Sequence, residues 1–165
     1  KPEFISRRLI ILASEDIGNA EPYALQLATA AFDAVHKIGM PESRIILAQI
    51  TTYLASVPKS NAAYLAIESA IGVIRDKGAG DVPLHLKNAT SGITKELGHG
   101  QDYRYAHDEP NAFSAGENYF PEVLARGDSS YTRLYQPTER GLEKQLKDKL
   151  DYLNQLNRDS HEQRY

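Results

Sequence analysis

An all-α fold is predicted from three observations. Apolar residues return every three to four positions through residues 1–78, glycine and proline interrupt that pattern at short intervals, and a leucine stripe of the same period closes the chain. The expected architecture is a compact helical array with a long, irregular, tyrosine-rich segment and a C-terminal helix. Residues 1–78 are read as an antiparallel helical core, 79–137 as an irregular segment packed on it, and 138–165 as the C-terminal helix and tail, one domain in total. A chain of 165 residues buries roughly 70% of its unfolded surface without any covalent staple.

The first helix carries Ile5, Leu9 and Leu12 on one face and should end at Gly18, which takes the left-handed cap conformation without strain. Asn19 is a cap for the second helix, with Pro22 in its first turn, where a missing N–H costs nothing. Ala24, Ala28, Ala31, Val35 and Ile38 form its stripe, widened by Leu25 and Phe32, and Gly39 stops it. Pro41 opens a third helix with Ile46, Ile50, Tyr53 and Val57 on one side, and Pro58 breaks it. Ser60 caps a fourth, along which Ala63, Ile67, Ala70, Ile71 and Ile74 repeat before Gly78. Turns this short force sequential helices antiparallel. The alanines suit a tight core or a helix–helix contact between subunits, and the core is the usual fate of alanine. Pro22 and Pro58 stand near one tetratricopeptide period apart, but the aromatic and glycine signature of that repeat is missing.

Val82 to Leu86 reads as an extended entry to the middle segment. A short helix is expected from Ser91 to Leu97, ended by Gly98, and one more helical turn at Pro121 to Leu124. An unstructured loop of this length is abnormal in a compact domain. Tyr103, Tyr105, Phe113, Tyr119, Phe120, Tyr131 and Tyr135 are therefore expected to pin it over the helices. From Thr138 the chain becomes amphipathic, with Leu142, Leu146, Leu150, Leu153 and Leu156 on one face and Glu143–Lys147 and Lys144–Asp148 as i, i+4 supports. Beyond Asn157 a frayed polar end is expected.

Composition narrows the function. Cysteine is absent, which removes disulfides, thiolate metal sites and cysteine nucleophiles. The longest apolar run, Ala62 to Ile67, is far below the ~20 residues of a membrane span. A net charge of −3 argues against non-specific nucleic-acid binding driven by overall charge. No phosphate-binding loop, dinucleotide fingerprint or H-E-x-x-H occurs. Glu15 and Asp16 are adjacent on a helix and point apart, so they are no catalytic pair. His99, Asp102, His107 and Asp108 offer ligand chemistry for a divalent ion, and a metal-dependent enzyme built on that loop is the alternative function; the spacing fits no zinc module. Hydrogen bonds to the loop backbone, with the tyrosines packing, are the better explanation of those four side chains. A direct DNA-binding module is the other alternative: Lys59, Lys87, Lys95 and Arg104 could contact phosphate or a partner, although Asp81, Glu96, Asp102 and Asp108 are interleaved with them.

Several stretches together resemble the C-terminal region of the replication-associated recombination protein A family, AAA+ ATPases related to the Werner helicase-interacting protein and to clamp loaders. In order they are Ala13-Ser14-Glu15-Asp16-Ile17-Gly18-Asn19-Ala20, Ile38-Gly39-Met40-Pro41-Glu42 and Pro58-Lys59-Ser60-Asn61-Ala62-Ala63-Tyr64. Val82-Pro83-Leu84-His85-Leu86, Leu97-Gly98-His99-Gly100, Tyr105-Ala106-His107-Asp108 and Tyr135-Gln136-Pro137-Thr138 follow. The resemblance implies a clamp-loader-collar-like helical fold that self-associates, as a homotetramer, with no catalytic, cofactor or metal residues of its own. ATP and Mg would belong to the full-length protein, a DNA-dependent ATPase acting in fork maintenance, recombination and repair, because the family's nucleotide motifs lie upstream of everything matched here. It also implies a bacterial cytoplasmic, nucleoid-associated location and replication partners such as single-strand-binding protein. Helix faces unused internally, those of the fourth helix and the middle tyrosines, would form an isologous surface. The 125–133 link is longer than the family's usual one and is expected to be a surface-loop variation.

Overall fold

The computed structural model describes residues 1–125 and 133–164. Tyr131 and most of the 125–133 link lie outside the described residues. Among those described, all regular structure is helical. The chain forms two compact units, Lys1–Glu68 with Leu134–Asp148, and Ser69–Arg133 with Lys149–Tyr165.

In the first unit α1 spans Pro2–Leu12, continues through a π-helical turn at Ala13–Ile17, and stops at Gly18, whose φ is +51°. The stripe actually buried runs through Ser6, Ala13 and Ile17, with Leu9 and Leu12 partly buried beside the core; Ile5 faces outward. A serine can sit there because its hydroxyl donates to the Pro2 carbonyl at 3.1 Å, leaving no unpaired polar atom. The π turn changes the angular step of the helix, which places Ile17 inside.

Helix α2 (Tyr23–Ile38) buries Ala24, Ala28, Ala31 and Val35, as its spacing predicts. Its stripe ends sooner than expected, because Leu25 and Ile38 are exposed. Asn19 does not cap it: the Glu21 carboxylate accepts the Tyr23 N–H at 3.2 Å, and the Asn19 side chain reaches Tyr135 instead. Gly39 ends the helix at φ +72°. The buried Ser43 hydroxyl then donates to the Gly39 carbonyl at 2.6 Å, tying the end of α2 to the start of α3 (Ser43–Ser56). Helix α3 contributes Ile50 and Leu54, and α1, α2 and α3 pack on one another around the alanines of α2. Each aliphatic side chain fully buried there contributes about 1.5–3 kcal/mol.

Helix α4 (Ala62–Lys77) is where the expectation of a core helix fails. Ser60 does accept the Ala62 N–H at 3.1 Å, as a cap should. Yet Ala62 is its only fully buried residue, and Tyr64, Leu65, Ile67, Ile71 and Ile74 are each at least 43% exposed. None of the extensive helix–helix contacts among the described residues involves α4. Periodicity alone identified the stripe without revealing that it stays largely exposed among the described residues.

In the second unit, Pro83 is extended, followed by a 3₁₀ turn at Leu84–Leu86. Helix α5 (Gly92–Glu96) is opened by a capping box between Ser91 and Thr94 and closed by Gly98, and α6 (Glu122–Ala125) is a single turn. The tyrosine expectation is only partly met. Phe113 and Phe120 are half-buried, but Tyr103, Tyr105 and Tyr119 each expose more than half their surface. Hydrogen bonds hold the segment instead. The Asn118 side chain brackets Phe120, accepting its N–H at 3.2 Å and donating to its carbonyl at 2.9 Å, while Arg104 Nη1 donates to the Ala115 carbonyl at 2.7 Å.

Helix α7 (Glu143–Asp159) keeps Leu146, Leu150, Leu153 and Leu156 half-buried on one face, starting five residues after Thr138. Glu143 is buried and bonded to Tyr135 and Thr138, and Lys147 lies 3.6 Å from Glu139. Through Arg164 the polar end is held by hydrogen bonds, contrary to the expected fraying. Ser160 Oγ donates to the Ala115 carbonyl at 3.1 Å, and the Arg164 N–H to that of Gly116 at 2.9 Å.

Candidate functional site

Two buried polar centres and one exposed apolar helix are the distinctive features of the molecule. The first centre is Glu143, 0% exposed. Its Oε1 accepts the Tyr135 hydroxyl at 2.7 Å, and its Oε2 accepts the Thr138 N–H at 2.9 Å and the Thr138 hydroxyl at 2.7 Å. Burial alone would raise this carboxyl's pKa. Hydrogen bonds from the Ser60 hydroxyl, from Thr138 and from Tyr135 outweigh that penalty and hold it below the ordinary carboxylate range. Burial pushes the Tyr135 phenol up, and donation to Glu143 adds to the rise.

Backbone bonds converge on the same point. The Ser60 N–H donates to the Asp16 carbonyl at 2.8 Å, the Leu142 N–H to that of Ala20 at 2.9 Å, and Arg140 Nε to that of Lys59 at 2.6 Å. Three stretches that resemble the family, Ala13–Ala20, Pro58–Tyr64 and Tyr135–Thr138, thus meet around one carboxylate. Glu143 was not singled out in the sequence, where it reads as an ordinary exposed helix acid. Its position five residues after a threonine that follows proline was the available signal.

The second centre is His85, whose Nε2 lies 3.0 Å from the Asn118 carbonyl and 3.4 Å from Glu117 Oε1. Both partners are acceptors, so Nε2 carries the proton. The Arg164 guanidinium pairs with the same Glu117 carboxylate and donates to the Asp102 carbonyl at 2.7 Å. His85, Asp102 and Arg164 line a cleft of about 600 Å³ with Lys87.

Of the four side chains proposed as metal ligands, His99 Nδ1 approaches the Asn88 carbonyl at 3.3 Å and the His107 ring packs tilted against Tyr105, 5.0 Å between ring centres. Asp102 takes a left-handed φ of +58°, and the Asp108 N–H bonds the Tyr105 carbonyl. Among the described residues, no three His, Asp or Glu side chains gather to hold a metal ion. Of the four cations, Lys59 Nζ donates to the Leu54 and Val57 carbonyls at 2.7 and 2.6 Å, closing the end of α3. Arg104 is bound to Glu109 at 2.9 Å, a bond that holds the Glu109 carboxyl below its ordinary pKa. Lys87 borders the cleft and Lys95 is exposed on α5.

The apolar features lie elsewhere. On α4, Tyr64, Ile67, Ile71 and Ile74 follow one another at intervals of three, four and three residues, so they share one face. Within the first unit, α2 and α3 border an open groove of about 750 Å³ lined by Leu27, Ala30, Ala34, Ile46, Ile50 and Tyr53, among others. No described helix is long and apolar enough to cross a membrane.

Comparison with known proteins agrees with the resemblance. A family described as MgsA AAA+ ATPase C terminal matches residues 1–154. The chain is similar to the replication-associated recombination protein A of Haemophilus influenzae, 48% identical over 164 residues, and to that of Escherichia coli strain K12, 46% identical over 164; each alignment covers 99% of this chain and 36% of the relative. It is also 38% identical over 124 residues to the ATPase WRNIP1 of Dictyostelium discoideum, covering 75% of this chain and 14% of that protein. The chain thus spans about a third of the length of its bacterial relatives. With a match running through both units, it belongs to the family of MgsA AAA+ ATPase C-terminal domains.

Proposed function

We propose that this chain is the self-assembly module of a DNA-dependent AAA+ ATPase that maintains replication forks and supports recombination. It performs no chemistry of its own and joins the ATPase modules as a homotetramer. The observation that carries the reading is α4: a helix with one charged residue between Ala62 and Ile74 that stays largely exposed. A helix apolar on most sides is normally covered, and exposed apolar patches of this kind mark interaction sites. Assembly raises the effective concentration of neighbouring modules, which then complete one another's nucleotide sites and grip DNA together.

In this reading ATP and Mg bind the full-length protein upstream of this region. DNA is reached through the whole assembly, in the bacterial cytoplasm at the nucleoid, with replication proteins such as single-strand-binding protein as partners. Direct DNA contact by this chain has weaker support, since Lys59 and Arg104 already have carbonyl or carboxylate partners. The test is sedimentation of the 165-residue chain at micromolar concentration. A tetramer that dissociates when Ile67 and Ile71 are both changed to Lys supports the proposal. A monomer of 18.4 kDa would refute it.

A further inference from the structure

The cleft beside His85 lies wholly within the second unit, and the chain's own Arg164 forms part of its wall. The guanidinium has a fitted seat there. Its Nε pairs with the Glu117 carboxylate, 3% exposed, and its Nη2 donates to the Asp102 carbonyl at 2.7 Å. The same Glu117 oxygen accepts the Asn118 N–H at 2.9 Å and lies 3.4 Å from His85 Nε2. Groups other than the arginine therefore fix the carboxylate in place. The segment that delivers Arg164 is held differently. It crosses residues 115–116 through the Ser160 hydroxyl, the Arg164 N–H and an ion pair between Glu162 and Arg104 at 3.3 Å. No apolar residue occurs from Asp159 to Arg164, and His161, Glu162 and Gln163 are exposed. A segment with no apolar anchor opens far more readily than packed helices. Gly116 permits the crossing, since a Cβ there would overlap the Glu162 carbonyl oxygen.

We infer that this cleft is a recognition site for an arginine in an extended segment of a partner protein. Ser160–Arg164 is then a strap that keeps the site closed by filling the arginine's seat. With Arg164 withdrawn, Asp81, Asp102, Glu117 and Glu122 stand against Lys87 beside His85, so the vacated cleft selects a cation. A carboxylate next to a carbonyl suits the planar fork of a guanidinium better than the point charge of an ammonium. The cleft, about 600 Å³, has room for more than that headgroup. Exchanging one guanidinium for another keeps Glu117 paired, so the buried carboxylate is not stranded. A tethered strap competes at an effective concentration of about millimolar, and the partner must outdo it through further contacts. Val82 and Leu84 line the cleft, each more than half exposed, and offer those contacts to apolar neighbours of the incoming arginine.

The test titrates three probes into the 165-residue chain and two variants. The probes are capped tripeptides with arginine or lysine between two leucines, and ethylguanidinium. Arg164→Ala empties the seat, whereas Gly116→Ala displaces the strap and keeps every group of the seat; both are first checked for the parent's helical circular dichroism. Followed by the amide shifts of Asp102 and Glu117, each variant should bind the arginine tripeptide at least tenfold more tightly than the parent does. Each should also prefer it at least tenfold over the lysine tripeptide and over ethylguanidinium. Adding Glu117→Gln to Arg164→Ala should abolish the preference for arginine over lysine. In the parent, excess arginine tripeptide should speed exchange of the Arg164 amide at least tenfold, a measurement that needs no variant. Equal or undetectable binding by parent and folded variants, no preference for arginine over lysine, or unchanged Arg164 exchange would overturn the proposal. Ethylguanidinium binding as tightly as the tripeptide would overturn a protein partner in favour of a small guanidinium compound.

Discussion

Tyr135 donates its hydroxyl to Glu143 at 2.7 Å while accepting from Asn19 Nδ2 at 3.1 Å, so one phenol joins the turn before α2 to the first residue of α7. Tyr135→Phe keeps the ring and removes a donor from a buried carboxylate. Hydrogen bonds to charged groups are worth about 1.5–3 kcal/mol. The variant should therefore lose about 2 kcal/mol in urea unfolding, with a lower midpoint and an unchanged slope.

The same carboxylate makes stability depend on pH. Its pKa is lower in the folded chain than the ordinary 4.5, so between the two values the unfolded state binds more protons than the native one. Its stabilisation is complete well above pH 4.5 and is lost as pH falls through the folded value. Glu143→Gln removes the titration. The difference in unfolding free energy between parent and variant should be largest near neutral pH and shrink in acid; a difference that stays constant with pH contradicts this account.

The helices were legible because each depends on local chemistry. Gly18, Gly39 and Gly98 end their segments at positive φ, Ser60 and Ser91 cap theirs, and the α2 alanines are buried at the predicted spacing. What could not be read depends on residues distant in sequence. Ser6 is buried although polar, and Ile5 is exposed although apolar, because the direction of the core is set by α2 and α3. Glu143 is the clearest case: its partners come from positions 60, 135 and 138, and its helical pattern alone reads as that of an exposed acid. The exposure of α4 was hidden for the opposite reason, since a stripe left exposed has the same period as one facing its own core.

Gly141 and Gly39 both have positive φ, at +54° and +72°, but differ in their surroundings. A Cβ on Gly141 would stand 2.1 Å from the Ala20 carbonyl oxygen, an acceptor of the Leu142 N–H, whereas a Cβ on Gly39 meets nothing within 4 Å. Gly39→Ala meets no clash but must hold φ +72° and ψ −171°, a region essentially confined to glycine, and should cost about 1–3 kcal/mol. Gly141→Ala adds a backbone clash and should cost at least about 3 kcal/mol. Thermal unfolding of the two variants side by side tests the difference.

The tail is fixed to the second unit through charge. Glu117 is 3% exposed in its side chain, and its cationic partner Arg164 is 24% exposed. Removing one member of a buried pair strands the other and costs about 3–5 kcal/mol; the partial exposure of Arg164 places Arg164→Met at the lower end of that range. Glu117→Gln alone leaves the guanidinium able to reach water and should cost less. If the two groups act as a pair, the double variant should be no less stable than Arg164→Met alone, because the stranded carboxylate is gone. Amide exchange should then separate local from global effects. In Arg164→Met the Arg164 and Gly116 amides, bonded to the Gly116 carbonyl and Asn157 Oδ1 respectively, should exchange at least tenfold faster, while the amides of α2 and α3 keep the parent's protection.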